Sequence, residues 1–445
     1  MMRQLRTTRR GTVMVIALWA TAISAIVASA IMLYAFRTAS YGREALGRVQ
    51  ARWAARAGVE NMISVMAEHN LQPIPEDAFA MIRDMDYYST GELLNATYDI
   101  RHHRDGVNWS GPLDEHSKLH VNDQSNLGYI YLLNDMTPDV ADAITDWMDE
   151  DDEISTFGVE RDYYLGLPTP YEPRNGLMRS TAEMELIAGI WPEYLRGEDW
   201  NMNGRLDPNE NDGDISPPED EPDGILNPTW GMLLTTYSRK GGYGMVTGLE
   251  AMNLRFADAE ELQERLQIDE RQAEALRVFA SNDQNSIEML LTSSLADLSG
   301  IPTIEDDPEN GMRSLNEEQL RMVFAECTMD DPLEGPMPGK LNINTVSADL
   351  LRQMFSDEST ERLVDEVLYL RNNRAEGVVS PVDLRDIPNL DSGSLERLAS
   401  LFDVRSNVFL VSSKGRCSSS GLEVEIVAIV DRSTLPVRIL EYREQ

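Results

Sequence analysis

The chain has 445 residues, is 42% hydrophobic and 26% charged, and carries a formal net charge of -37. That length and apolar content suit two or three folded domains. So acidic a chain excludes general affinity for phosphate backbones or anionic lipid. There is no GxSxG, no Walker lysine loop and no HExxH, so the chain reads as a non-enzyme.

Residues 1–11, MMRQLRTTRRG, hold four arginines and no acid. Thr12 to Phe36 follows without a charge. At about 1.5 Å per helical residue it is long enough to cross a hydrocarbon core of about 30 Å. The arginines predict a cytoplasmic N-terminus, a single pass through the inner (plasma) membrane and a periplasmic bulk. No proline interrupts residues 37–68, where Leu46, Val49, Trp53 and Ala57 recur at helical spacing. The transmembrane helix 12–36 therefore continues as an amphipathic one. This leader and rod resemble those of type IV pilin-like proteins, and the resemblance implies a prepilin peptidase cut between Gly11 and Thr12. Most such proteins have Glu five residues into the mature chain. Ile16 stands there in this one, as expected of the K-type minor pseudopilin of type II secretion systems.

Residues 94–134 alternate polar and apolar positions and predict short strands. Residues 137–190 turn helical from Thr137-Pro138, an N-cap followed by Pro at the first helical position. A segment at 340–403 repeats this unit. Lys118-Leu119-His120-Val121-Asn122 is echoed by Lys340-Leu341-Asn342-Ile343-Asn344, ADAITDWMDEDDE by VDEVLYLRNNRAE, and RSTAEMELIAGI by VSPVDLRDIPNL. The order matches, so the chain contains an internal duplication of a helix-hairpin-helix or SAM-like module. Residues 406–445 are strongly β-forming and close the sheet. The fold class is α+β: a long N-terminal membrane helix, a pilin-like antiparallel sheet, and inserted helical SAM-like/helix-hairpin-helix units.

The K-type pattern also has an aspartate-rich stretch before a paired tyrosine and an LNxNTA-like segment. The counterparts here are DWMDEDDEISTFGVERDYY from Asp146 and LNINTVSADLL from Leu341. The resemblance implies a structural subunit at the tip of a periplasmic pseudopilus that supports export of folded proteins across the outer membrane. Its implied partners are the I and J minor pseudopilins and the major pseudopilin.

Two insertions depart from that pattern. One, 239–337, is acidic and helical, with no function legible in it. The other, 197–230, contains DWNMNGRLDPNE, which fits a twelve-residue EF-hand loop. Asp199, Asn201, Asn203, the Arg205 carbonyl, Asp207 and Glu210 are its oxygen ligands and Gly204 its turn, and the expected cation is calcium. Glu219, Glu221 and Asp223 form a degenerate second loop. Asp146, Asp149, Asp151 and Asp152 are a third site, whose prior the resemblance raises. Acids at a helix C-terminus also oppose its dipole, which suits a cation there. Cys327 and Cys417 are compatible with one disulfide or with two separate thiols. His102, His103, His116 and His120 read as exposed strand residues. Two alternative functions fit parts of the chain: a membrane-anchored helix-hairpin-helix protein that binds DNA, and a calcium-dependent surface scaffold. The first sits poorly with the acidic surroundings and with a glycine-free hairpin at Pro388-Asn389-Leu390.

Overall fold

The computed structural model describes residues 10–93, 95–330, 337–356, 361–388 and 390–445. Leader residues 1–9 and Asn389 of the hairpin lie outside them. Helix α1 (Arg10–Leu71) opens the fold. Residues 11–46 are exposed throughout, and the mean hydropathy of their apolar window is 2.2. One helix among the described residues is thus long and apolar enough to cross a membrane, which fits a single-pass anchor. From residue 47 onward, α1 lies on a sheet and buries Ala51, Ala54, Ala55, Val59, Met62 and Met66.

The sheet is antiparallel and seven-stranded. Its first strands are β1 (Thr90–Leu93), β2 (Ala96–Arg104), β3 (Val107–Ser110) and β4 (Leu113–Asp114). The last are β5 (Val408–Cys417), β6 (Glu423–Asp431) and β7 (Arg438–Glu444). The order is β1-β2-β5-β6-β7, with β3 on β2 and β4 on β5. Ser413 faces Ile100 across β5 and β2, and Val411 faces Ala428 across β5 and β6. One face packs on α1 through Ile100, Phe409, Val411, Ile426 and Val430. The other packs under Tyr237 through Leu113, Leu410 and Ile429. Strands covered on both faces read as near-continuous apolar runs, which explains VFLV and EIVAIV. The helix approaches closely because its contact residues are small. A Cβ on Gly415 of β5 would lie 1.9 Å from the Ala51 carbonyl oxygen.

Between β4 and β5 the chain leaves the sheet for residues 115–407. The expected strands stop at Ser110 and Asp114, apart from the pair Leu119–His120. Residues 127–130 are helical instead. The Asp123 side chain accepts the Ser125 amide and turns the chain, while Ile130 and Leu133 enter the helical core.

Three similar modules build the inserted body. Each opens on a two-residue strand that pairs in parallel with a closing one: Leu119–His120 with Leu234–Thr235, Met252–Asn253 with Cys327–Thr328, and Leu341–Asn342 with Phe402–Asp403. In each, the next amide donates to the closing strand: Val121 to Thr235, Leu254 to Thr328 and Ile343 to Asp403. The first and third modules share finer detail. The Asn122 amide group exchanges two bonds with the Met178 backbone, and that of Asn344 does the same with Val378. The middle module falls within the 239–337 insertion. It contains α-helices Ala259–Leu266, Glu270–Ala280 and Glu317–Glu326. Its Leu262, Leu276, Phe279 and Val323 join the common core.

Candidate metal centre

Among the described residues, one group of three or more metal-ligating side chains converges: Asp146, Asp149 and Glu160, whose oxygens lie within 4.8 Å of one another. Asp146 sits in the last turn of helix Pro138–Met148, with Asp149 as its C-cap. That helix starts at Thr137-Pro138 and is fixed by buried Ile144 and Trp147. Glu160 is the N-cap residue of the short helix Arg161–Leu165. Buried Tyr164 anchors that helix edge-on against Trp147, with ring centroids 5.2 Å apart. Two aromatic anchors thus hold two helix ends together, and the carboxylates meet between them.

Asp146 is fully buried and accepts the Ser155 amide. Asp149 Oδ1 and both Glu160 oxygens are enclosed and have no hydrogen-bond partner among the described residues. Burial raises all three carboxyl pKa values, and the neighbouring acids raise them further. Glu160 is pushed up to about 7. A Cβ on Gly158 would fall 2.0 Å from Asp146 Oδ2, so the chain crosses directly over the acid. Enclosed oxygens without donors, all of carboxylate type, fit a hard cation such as calcium. Burying such a cluster without counter-charge is costly. Asp151 and Asp152 are exposed and remain outside the cluster. Their segment is tied back by the Asn175 amide, which donates to the Asp151 carbonyl and to Asp152. Glu160 was missed in the sequence. Its only sign there was its place just before Tyr163-Tyr164, after the aspartate-rich stretch.

The 199–210 loop turns at Gly204, whose φ is +69°. Asp199 accepts the amides of Asn203 and Gly204, at 2.9 and 3.0 Å. Asn201 Oδ1 also accepts the Asn203 amide, and Asn203 Oδ1 accepts that of Arg205. Asp199, Asn203, Asp207 and Glu210 are buried. Burial lifts Asp199 to about 6. Burial and the facing Asp199 lift Glu210 to about 8. The Glu210 oxygens accept the amides of Trp200 and Asp207. Burial opposes ionisation of Asp207, but the Lys414 ammonium at 2.6 Å outweighs it and lowers that pKa. The donors fit a calcium loop in type and burial. The loop is also bolted to the sheet, through Asn203 to Glu425, Arg205 to Asp99, and Arg443 to the Asn201 and Met202 carbonyls. Glu219, Glu221 and Asp223 are exposed and do not converge. Glu198 instead holds that turn, accepting the amides of Glu221 and Asn227.

Of the two readings of the cysteines, the structure has the separate thiols. Cys327 and Cys417 are both free thiols. Cys417 packs with Ala51 and Val424 beneath the sheet, whereas Cys327 packs on the separate helical core. The four clustered histidines are buried rather than exposed. Their rings serve local bonds: His102 to the Gly111 carbonyl, His103 to Asn108 and the Leu226 amide, His116 to the Lys340 carbonyl, His120 to the Asn122 amide. The helical 239–337 segment holds the middle module of the common body.

Residues 126–197, which include the whole acid centre, match the family described as "Type II secretion system (T2SS), protein K" over its first domain. No curated protein matches the chain. Among solved structures, similarity is found to the crystal structure of the GspK-GspI-GspJ complex from the enterotoxigenic Escherichia coli type 2 secretion system. Identity is 11% and the TM-score 0.39, over 91% of this chain and 99% of that one. Through residues 126–197, which carry its acid centre, the chain is similar to the first domain of the type II secretion system protein K family.

Proposed function

We propose that this chain is a minor pseudopilin, a structural, non-enzymatic subunit at the tip of a periplasmic pseudopilus that supports export of folded proteins across the outer membrane. The observation that carries the reading is Ile16, 62% exposed on the free half of α1. It stands where pilin-like chains place Glu. An apolar side chain offers no counter-charge to the N-terminal amine of a neighbouring subunit, so this one has no ionic way of adding beneath another. The helical body between β4 and β5 adds bulk against stacking above it.

A prepilin peptidase removes residues 1–11, the N-terminus is cytoplasmic, and α1 crosses the inner membrane. The I and J minor pseudopilins and the major pseudopilin are the partners. Leu46, Val49 and Trp53 support this: they are 58%, 49% and 54% exposed on the part of α1 that leads into the sheet, and form an apolar stripe for other rods. Calcium serves as a structural clamp in the Asp146–Asp149–Glu160 centre and in the 199–210 loop. Nucleic acid is not a partner, since a net charge of -37 repels phosphate.

Immunogold labelling of overproduced pseudopili tests the tip assignment. Gold at one end only is expected, and gold along the filament would overturn it. Intact mass of the membrane-extracted protein reports whether the chain begins at Thr12.

A further inference from the structure

The end of α1 farthest from its apolar half meets the sheet and two of the inserted modules. A cavity of about 80 Å³ lies at that junction. Its walls include His69 and Asn70 of α1, Met81, Tyr243 before the middle module, and two arginines. Arg405 comes from the link into β5, and Arg432 directly follows β6.

Among the described residues, neither arginine has a carboxylate within 4.0 Å, and Arg405 donates no side-chain hydrogen bond. Arg432 meets only neutral acceptors: Asn70 Oδ1 at 2.7 Å, Met81 Sδ at 2.7 Å and the His69 carbonyl at 3.5 Å. Of the nearby acids, Asp403 lies two residues before Arg405 and favours its charged form without pairing with it, and the others are committed elsewhere. Asp77 pairs with Arg83, Asp84 with His69, Asp431 with Arg239, and Glu326 with Arg265. In a chain with 76 acids and 39 basic residues, two part-buried guanidiniums without a paired carboxylate are conspicuous. Burial lowers the pKa of both, and Arg405 further lowers that of Arg432, to about 9. An enclosed cation without counter-charge is costly, and a planar guanidinium matches a two-oxygen anion in geometry.

We propose that this cavity is a binding site for a single carboxylate group, held between the guanidiniums of Arg405 and Arg432. The volume admits one compact anionic group, and Met81, Ile82 and Val404 line it as walls for a short apolar stem. A free small acid and the C-terminal carboxylate of a peptide share this chemistry. Because the site joins α1, the sheet, and the middle and third modules, its occupant would fasten the body to the rod.

The test uses the full chain in detergent at constant calcium and ionic strength. Melting temperature is followed against sodium acetate, an N-acetyl dipeptide acid, the same dipeptide as its amide, sodium phosphate and sodium chloride. A saturable rise with the carboxylates, absent with the amide and with chloride, is expected. Acetate and dipeptide arms separate the two sources. Arg405→Gln should weaken the response about tenfold or more. Without added anion, Arg405→Met should melt above the wild type, because it removes an uncompensated charge; an arginine with a purely structural role would give a loss. Equal responses to acid and amide, an unaltered response in Arg405→Gln, a response to phosphate alone, or destabilisation by Arg405→Met would each overturn the proposal. If the variants fail to fold, the acid–amide comparison on the wild type still decides it.

Discussion

Glu160→Gln gives the sharpest test of the acid centre, because its effect should change sign with calcium. Burial first, then Asp146 and Asp149, raise the Glu160 carboxyl from 4.5 to about 7. A raised folded-state pKa means the folded chain holds its proton longer than the unfolded one. Stability from this group is therefore complete below the unfolded value and declines as pH climbs from about 4.5 to about 7. At about 1.4 kcal/mol per pH unit, the cost of ionising Glu160 reaches about 3 kcal/mol at neutral pH. In chelator at pH 7.5, Glu160→Gln should therefore raise the melting temperature, and at pH 4.5 the gain should vanish. In calcium at a thousandfold excess over its dissociation constant the wild type gains about 4.1 kcal/mol. A variant that has lost its calcium gains nothing and melts below it by about 1 kcal/mol. Melting curves by circular dichroism at both pH values, with and without calcium, check this. A variant equally destabilised in chelator and in calcium would show Glu160 to be an ordinary structural acid.

Other perturbations have defined outcomes. Asn203→Ala removes the amide that joins Asp207 to Glu425 and should cost about 1–3 kcal/mol in urea denaturation. Gly415→Ala sets a methyl against the Ala51 carbonyl. It should cost at least about 1–3 kcal/mol, whereas Gly421→Ala, in open space but at positive φ, should cost less than that. Burial depresses His102 to about 3 and His120 to about 4. Both stay neutral in the folded state while the unfolded chain takes up protons below about 6.5. Each should therefore cost up to about 1.4 kcal/mol per unit as pH falls below 6.5, and His120→Asn should flatten that slope in acid titrations.

The rod, the paired halves of the sheet and two of the three modules were legible because each leaves a local periodic signal. The anchor is a charge-free run, β5 and β6 carry the apolar runs VFLV and EIVAIV, and the first and third modules share ordered motifs around Asn122 and Asn344. The middle module escaped because its likeness to them lies in the backbone. MNLRF preserves the strand and the amide bonded to Thr328, but has Arg255 where the others have asparagine, so the side-chain signature is gone. YIYLL was misread as strand because a short apolar run has no period of its own, and the Asp123 cap that decides it is one residue. The acid centre was half legible. Asp146 and Asp149 lie together in sequence, but Glu160 comes from the next helix, and only tertiary packing of Tyr164 on Trp147 brings it in. Spacing also could not show that Cys417 and Cys327 lie in separate cores.

Comparison of the first and third modules gives a physical reason for proposing a cation in one and not in the other. Trp147 and Leu370 are equivalent, as are Arg174 and Arg374, each of which pairs with the acid that caps the following turn. Between these points the third module needs only residues 371–373, whereas the first makes an excursion over 148–173. Along 150–173 only Glu160, Tyr164 and Pro173 are buried, and one of those is a carboxylate. Ordering such a segment costs about 1–2 kcal/mol per residue, and so little apolar surface does not offset it. A cation held by Asp146 and Asp149 at one end and Glu160 midway would supply the missing fastening. In the third module Tyr369 and Asn372 replace the two aspartates, and there is no excursion to hold. Chelation should therefore loosen one place. Amide exchange over 150–170 should rise by at least tenfold in chelator, while 361–386 stays unchanged. Equal protection of 150–170 with and without calcium would mean that the excursion is held by its aromatic contacts alone, and the clamp would have to be abandoned.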